Sequence, residues 1–103
     1  MKVVGVTACT AGIAHTYIAK EKLVSAAKEL GYDIKIETQG SIGVEDALSP
    51  EDIAAADVVL IAADIRIDKE RFKGKPIVDL PISNIMKSPK SVLMAIAKKL
   101  GKE

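Results

Sequence analysis

Cys9 and His15 are the only cysteine and the only histidine among 103 residues, and they stand six positions apart. A single thiol has no internal disulfide to make, and one cysteine with one histidine falls short of a zinc-binding set. Cys9 is left with two roles, packing as a small apolar side chain or chemistry of its thiolate. Thr10, Ala11 and Gly12 follow it, small residues that can turn tightly, and a helical pattern begins at Ile13. A thiol just ahead of a helix meets backbone N–H groups that have no intrahelical partner, at the positive end of the helix dipole. That field favours thiolate over thiol, and the amides of Thr10 to His15 would hold a phosphoryl group carried on sulfur. Phosphoryl transfer through Cys9 fits this spacing; position alone leaves the packing role equally open. His15 is either a donor to such a group or a histidine satisfied by backbone near a helix start. Thr10 and Thr16 are the neighbouring hydroxyls.

Such a loop needs a strand to deliver it and a helix to receive it. Lys2 to Ala8 is a short apolar run of strand type. From Ile13 to Leu30, Ala19, Leu23, Ala26, Ala27 and Leu30 recur on one helical face, and Gly31 is the expected C-cap. Tyr32, Ile34 and Ile36 alternate with Asp33, Lys35 and Glu37, the period of a half-covered strand near a sheet edge, with Gln39 to Val44 as its exit loop. Ser49-Pro50-Glu51-Asp52 starts a short helix ending near Ala56. Val58 to Ala63 is a continuous apolar strand covered on both faces. A turn of helix around Asp68 to Phe72, a strand at Pro76 to Leu80 and a helix capped by Ser88-Pro89, with Val92, Leu93, Ile96 and Leu100 on one face, complete the chain.

This alternation predicts an α/β fold, a flavodoxin-like four-stranded parallel sheet of order 2-1-3-4 with helices on both faces. In such a sheet the winding reverses beside strand one, and ligands bind there, outside the carboxyl ends of the strands. Cys9 leads the loop at that point, flanked by the loops that begin at Gln39 and Asp64. Asp64 would repel a phosphoryl anion, which favours a structural or N-capping role over a place in the site. Gln39 and Ser41 are rim contacts or turn formers.

The length suits one domain, residues 1–103, with a core that needs no metal or disulfide staple. Fifteen basic against fourteen acidic residues create no global field for nucleic acid, and three aromatics cannot build a base-stacking platform. No apolar run is long enough for a bilayer, and Met1-Lys2-Val3-Val4-Gly5 passes directly into a strand, which predicts a cytoplasmic product.

Cys9-Thr10-Ala11-Gly12-Ile13-Ala14-His15-Thr16-Tyr17 closely resembles the phosphorylation loop of fructose-type enzyme IIB domains of the bacterial phosphoenolpyruvate-dependent sugar phosphotransferase system. Glu37-Thr38-Gln39-Gly40-Ser41, the run Ala54 to Asp64 and Arg71-Phe72-Lys73-Gly74-Lys75-Pro76 are similar to the same family, so the likeness spans most of the chain. Thr10 and Ala11 stand where the commoner loop has Pro and Thr, so no hydroxyl is available at position 11. The resemblance implies a phosphocarrier. Cys9 accepts a phosphoryl group from a phosphohistidine on a IIA protein, with Thr10, Ala11, Gly12, Ile13, Ala14, His15 and Thr16 forming the phosphoryl-binding loop. The group then passes to a sugar, fructose or fructose-like, carried by a membrane-bound IIC protein. It implies no cofactor and no metal. It implies a monomer as an isolated domain that docks transiently and reaches the inner face of the membrane through its transporter partner.

The alternative is a low-molecular-weight cysteine-dependent phosphatase, which also places its cysteine after strand one. Its loop resembles Cys followed six positions later by Arg, where this chain has His15. Without a guanidinium fork on the transferring oxygens, hydrolysis is weak, which suits a carrier. A receiver domain lacks its acidic pair in Thr7-Ala8-Cys9, and no G-x-G-x-x-G or G-K-[ST] motif marks a nucleotide site.

Overall fold

The computed structural model describes residues 1–8, 13–40, 43–64 and 66–101. Strand β1 (Lys2–Ala8) lies in the middle of a mixed α/β arrangement. Helix α1 (Ile13–Leu30) returns the chain to β2 (Asp33–Gly40), and β3 (Gly43–Glu45) and α2 (Pro50–Ala55) lead to β4 (Val58–Ala63). A 3-10 turn at Glu70–Phe72 precedes β5 (Ile77–Leu80), α3 (Ile82–Lys87) and α4 (Pro89–Leu100).

The sheet order is β3-β2-β1-β4-β5. This corrects the expected four strands of order 2-1-3-4: β2, β1, β4 and β5 keep that order and run parallel, and an antiparallel fifth strand is added at the β2 edge. The stretch read as an exit loop instead extends β2 to Gly40 and returns as β3, with Gly40 opposite Gly43. All three residues of β3 are exposed, so no apolar alternation announces it. Helix α3 is a second addition. Its preceding residue, Pro81, offers no side-chain cap; the Asp64 carboxylate, 18 residues earlier, accepts from the Ile82 N–H at 3.3 Å. A cap from that far away leaves no local signature.

Elsewhere local signals decide. Tyr32 N–H returns to the Ala27 carbonyl at 2.8 Å past Gly31, whose φ of +78° ends α1. Ser49 and Asp52 form a reciprocal capping box at the start of α2, with bonds of 3.1 and 3.0 Å. Pro89 opens α4 as expected, but the Ser88 side chain makes no capping bond there; its backbone N–H ends α3 on the Asn84 carbonyl.

Alternation along β1 divides the core in two. Val3, with Ile36, Val58, Leu60 and Ala62, packs beneath α1, α3 and α4 through Ala19, Leu23, Ile82, Ile85, Leu93 and Ile96. Val4, Val6 and Ala8, with Val59 and Ile61, pack on the other face beneath Leu48, Ile53, Ile67 and Phe72. Gly5 sits where β1 has no room for a side chain: a Cβ would lie 2.8 Å from both Ile36 Cδ1 and the Leu60 carbonyl oxygen.

Candidate functional site

Ala8 of β1 is in register with Gln39 of β2 on one side and Ala63 of β4 on the other, and the Asp64 N–H donates to the Ala8 carbonyl at 3.1 Å. The carboxyl ends of three parallel strands therefore finish level around Ala8. The connection out of β1 crosses one face of the sheet through α1, whereas α2, on the way to β4, packs on the other. The chain thus changes face around β1, the place where open α/β sheets take ligands. Cys9, Thr10, Ala11 and Gly12 follow Ala8 in the chain and lie outside the described residues, as does Ser41. Ile13, Ala14 and His15 form the first residues of α1, and their side chains likewise lie outside the description.

Thr16, one residue further, is described in full. It is 2% exposed, and its hydroxyl is buried with no hydrogen-bond partner among the described residues. Its carbonyl accepts from the Thr7 hydroxyl at 3.3 Å, and Thr7 is itself fully buried. This bond ties the last part of β1 to the second turn of α1, on the two sides of the loop that holds Cys9. Leaving a hydroxyl buried and unbonded costs about 1–3 kcal/mol, so Thr16 Oγ1 is a donor and acceptor with no partner among the described residues.

The β2–β3 hairpin, absent from the sequence reading, braces the same end of α1. The Tyr17 hydroxyl donates to the Glu45 carboxylate, which, with some burial and the nearby acidic charges, raises the phenol above its usual range. Lys20 pairs with Asp46 and holds that carboxyl below its usual value. Asp46 has φ of +52°, a left-handed conformation that Asp tolerates better than most residues. These partners lie more than 25 residues apart, and no spacing rule connects them.

Glu37 is a residue that the alternation misplaced. Read as solvent-facing, it is 1% exposed. Its carboxylate accepts from the Leu48 N–H at 3.0 Å, from Gln39 Nε2 at 2.7 Å and from the Arg71 guanidinium, which also lies 4.8 Å above the Phe72 ring. Burial pushes the Glu37 carboxyl up, but the bonds from Arg71, Gln39 and Leu48 and the charge of Arg71 outweigh it and hold it below its usual value. Gln39 therefore points its amide at Glu37. Asp64 takes the N-capping role described above.

Beyond β4, Arg66, Ile67, Asp68 and Lys69 line an open cavity of about 500 Å³. Lys69 pairs with Asp79 at 2.6 Å, and Asp68 accepts from the Glu70 N–H at 3.0 Å. Among the described residues no group of three or more His, Cys, Asp or Glu side chains is placed to hold a metal ion, and no helix is long and apolar enough to cross a membrane.

Comparison with known proteins agrees with this geometry. Residues 4–95 match the family model described as the lactose/cellobiose-specific IIB subunit of the phosphotransferase system. A fructose-like EIIB component 2 of Escherichia coli K12 is 50% identical over 96 residues, 92% of this chain and 91% of that protein. A fructose-specific EIIABC component of Bacillus subtilis is 41% identical over 92 residues, which are 89% of this chain and 14% of that protein. Among solved structures, a domain of a fructose-specific IIABC component from Borrelia burgdorferi superposes with a TM-score of 0.87 at 45% identity, covering 90% of this chain and 89% of that domain. An arginine phosphatase shares the fold alone, at a TM-score of 0.50 and 16% identity. The strand-end geometry around Ala8 and the sequence likeness extending from Val4 to Ala95 converge on one assignment: the chain belongs to the IIB family of the sugar phosphotransferase system.

Proposed function

We propose that the protein is a phosphocarrier of fructose type in which Cys9 holds the phosphoryl group in transit. The Cys9 thiolate attacks the phosphorus of a phosphohistidine on a IIA-type donor; the S–P bond forms, the P–N bond breaks, and the imidazole leaves, taking a proton. A sugar hydroxyl at a IIC-type transporter then attacks the same phosphorus. The P–S bond breaks, the thiolate is restored, and the hydroxyl proton passes to solvent. Both are in-line displacements, for which positioning and fixed dipoles supply most of the catalysis.

The observation that carries this reading is the position of Cys9 in the chain, directly after the central strand and ahead of an 18-residue helix, in a member of the IIB family. Backbone amides of Thr10, Ala11, Gly12, Ile13, Ala14 and His15 supply N–H groups to the phosphoryl oxygens, and the Thr16 hydroxyl adds one donor. The four parallel strands read as a flavodoxin-like doubly wound core, with β3 as an appended edge. The fructose-like names of the relatives, and their IIA and IIC portions, support a fructose-like sugar and partners of those two kinds. A monomeric domain on the cytoplasmic side of the membrane suits such a relay.

The test is a chase. Protein phosphorylated by a IIA donor is mixed with membranes containing the matching IIC component and fructose. Appearance of sugar phosphate at the rate at which the phosphoprotein disappears is the expected result. Loss of the group to water at the same rate with and without membranes would instead make the protein a hydrolase.

A further inference from the structure

On the face away from α1, an open groove of about 380 Å³ runs between α2 and the segment from the 3-10 turn to Lys75. Leu48, Pro50, Ile53 and Ala54 form its apolar side, and Arg71, Lys73 and Lys75 form the other. The three cations come from alternate positions of one short segment, and no carboxylate lines the groove among the described residues. Two of them are held in place. Arg71 is fixed by buried Glu37 on one side and by the Phe72 ring on the other, and its only ion pair among the described residues is with Glu37. Lys75 Nζ donates to the carbonyls of Ala54 at 2.8 Å and Ala56 at 3.0 Å, the C-terminal end of α2. Lys73 makes no ion pair among the described residues. Glu37 neutralises one of the three charges, and Asp52 on α2 is turned to Lys35 and Ser49. A net positive groove with one apolar wall remains.

We propose that this groove is a docking site for an acidic peptide segment of a partner protein, one that sets carboxylates against Arg71, Lys73 and Lys75 and apolar side chains against Pro50 and Ala54. The occupant is argued from charge complementarity. An extended row of cations on an open surface suits a run of carboxylates better than a single small anion, for which a closed pocket would be needed. The proposal stands apart from the phosphoryl chemistry, because none of its residues belongs to the Cys9 loop.

The probe is a fluorescein-labelled octapeptide of glutamates around two leucines, titrated into the full chain at low salt by fluorescence anisotropy, with amide shifts followed by NMR. The expected result is saturable binding whose shifts cluster at residues 48–54 and 71–75, weakened at least fivefold by Lys73→Glu and less than twofold by Lys22→Glu on α1. Equal weakening by both variants would show non-specific charge attraction and overturn the proposal. Shifts centred on residues 66–69, or displacement of the peptide by an equal concentration of inorganic phosphate, would also overturn it. Phosphorylation of Cys9 is scored on the same samples, so loss of that activity and loss of docking are read separately.

Discussion

Thr16 and Glu37 show how differently a buried polar atom can be treated within one small protein. The Thr16 hydroxyl has no partner among the described residues, whereas each demand of the Glu37 carboxylate is met. If the Thr16 hydroxyl serves the phosphoryl group, Thr16→Val leaves thermal stability unchanged or raises it by about 1 kcal/mol, since an unpaired hydroxyl is removed, while phosphorylation by the IIA donor slows about tenfold, the loss of one hydrogen bond of about 1.4 kcal/mol. Thr16→Ser restores the rate. Denaturant melts and a phosphorylation time course check both halves. Glu37→Gln removes the charge facing Arg71 and replaces one of the two acceptor oxygens with a donor, which costs about 1–3 kcal/mol near neutral pH. The Glu37 carboxyl lies below its usual value in the folded protein, so its contribution is complete above pH 4.5 and is lost as pH falls through the depressed folded value. The stability gap between wild type and variant, measured by urea unfolding, is therefore expected to close as the pH drops below about 4.5. The sequence showed the first of these residues through its place in a motif. It hid the second, because period-2 alternation assigns Glu37 to solvent and only the distant Leu48 and Arg71 reveal that it is enclosed.

Elements whose signals are local were legible. Helix α2 carries its own capping box, α1 carries its apolar face and its Gly31 stop, and β4 is apolar throughout. Elements that depend on distant partners were not. Strand β3 is three exposed residues held by Thr38, Gln39 and Gly40 and by the Tyr17 contact from α1, with Lys20 holding the next residue, Asp46. Helix α3 borrows its cap from Asp64. Asp64→Ala is accordingly expected to cost about 1–2 kcal/mol, with the early loss of amide protection falling at residues 82–85, which hydrogen exchange reads directly. Gly5 makes the corresponding point for packing. Gly5→Ala forces a methyl group against Ile36 and a strand carbonyl that cannot step aside, a penalty of about 1–3 kcal/mol in a melt.

For the molecule as a whole, the doubly covered sheet is the reason for the proposal to place the chemistry at one end. Both faces of β1 are spent on the core, one under α1, α3 and α4 and the other under α2 and the 3-10 turn, so the carboxyl end of the strand is what remains for a partner to approach. The order of the parallel strands was legible because alternating strands and helices admit few topologies; the edge strand was not, because antiparallel additions obey no such rule. In the proposed relay the transferred group rides on the thiol that follows Ala8. The most direct test of that position is peptide mapping by mass spectrometry after incubation with phosphoenolpyruvate, the general phosphotransferase proteins and a IIA donor, beside a Cys9→Ser control. One phosphoryl group per chain, on the peptide containing Cys9 and absent from the control, is the predicted result; a phosphoryl group on His15, or one that persists at the same level in the Cys9→Ser protein, would contradict it.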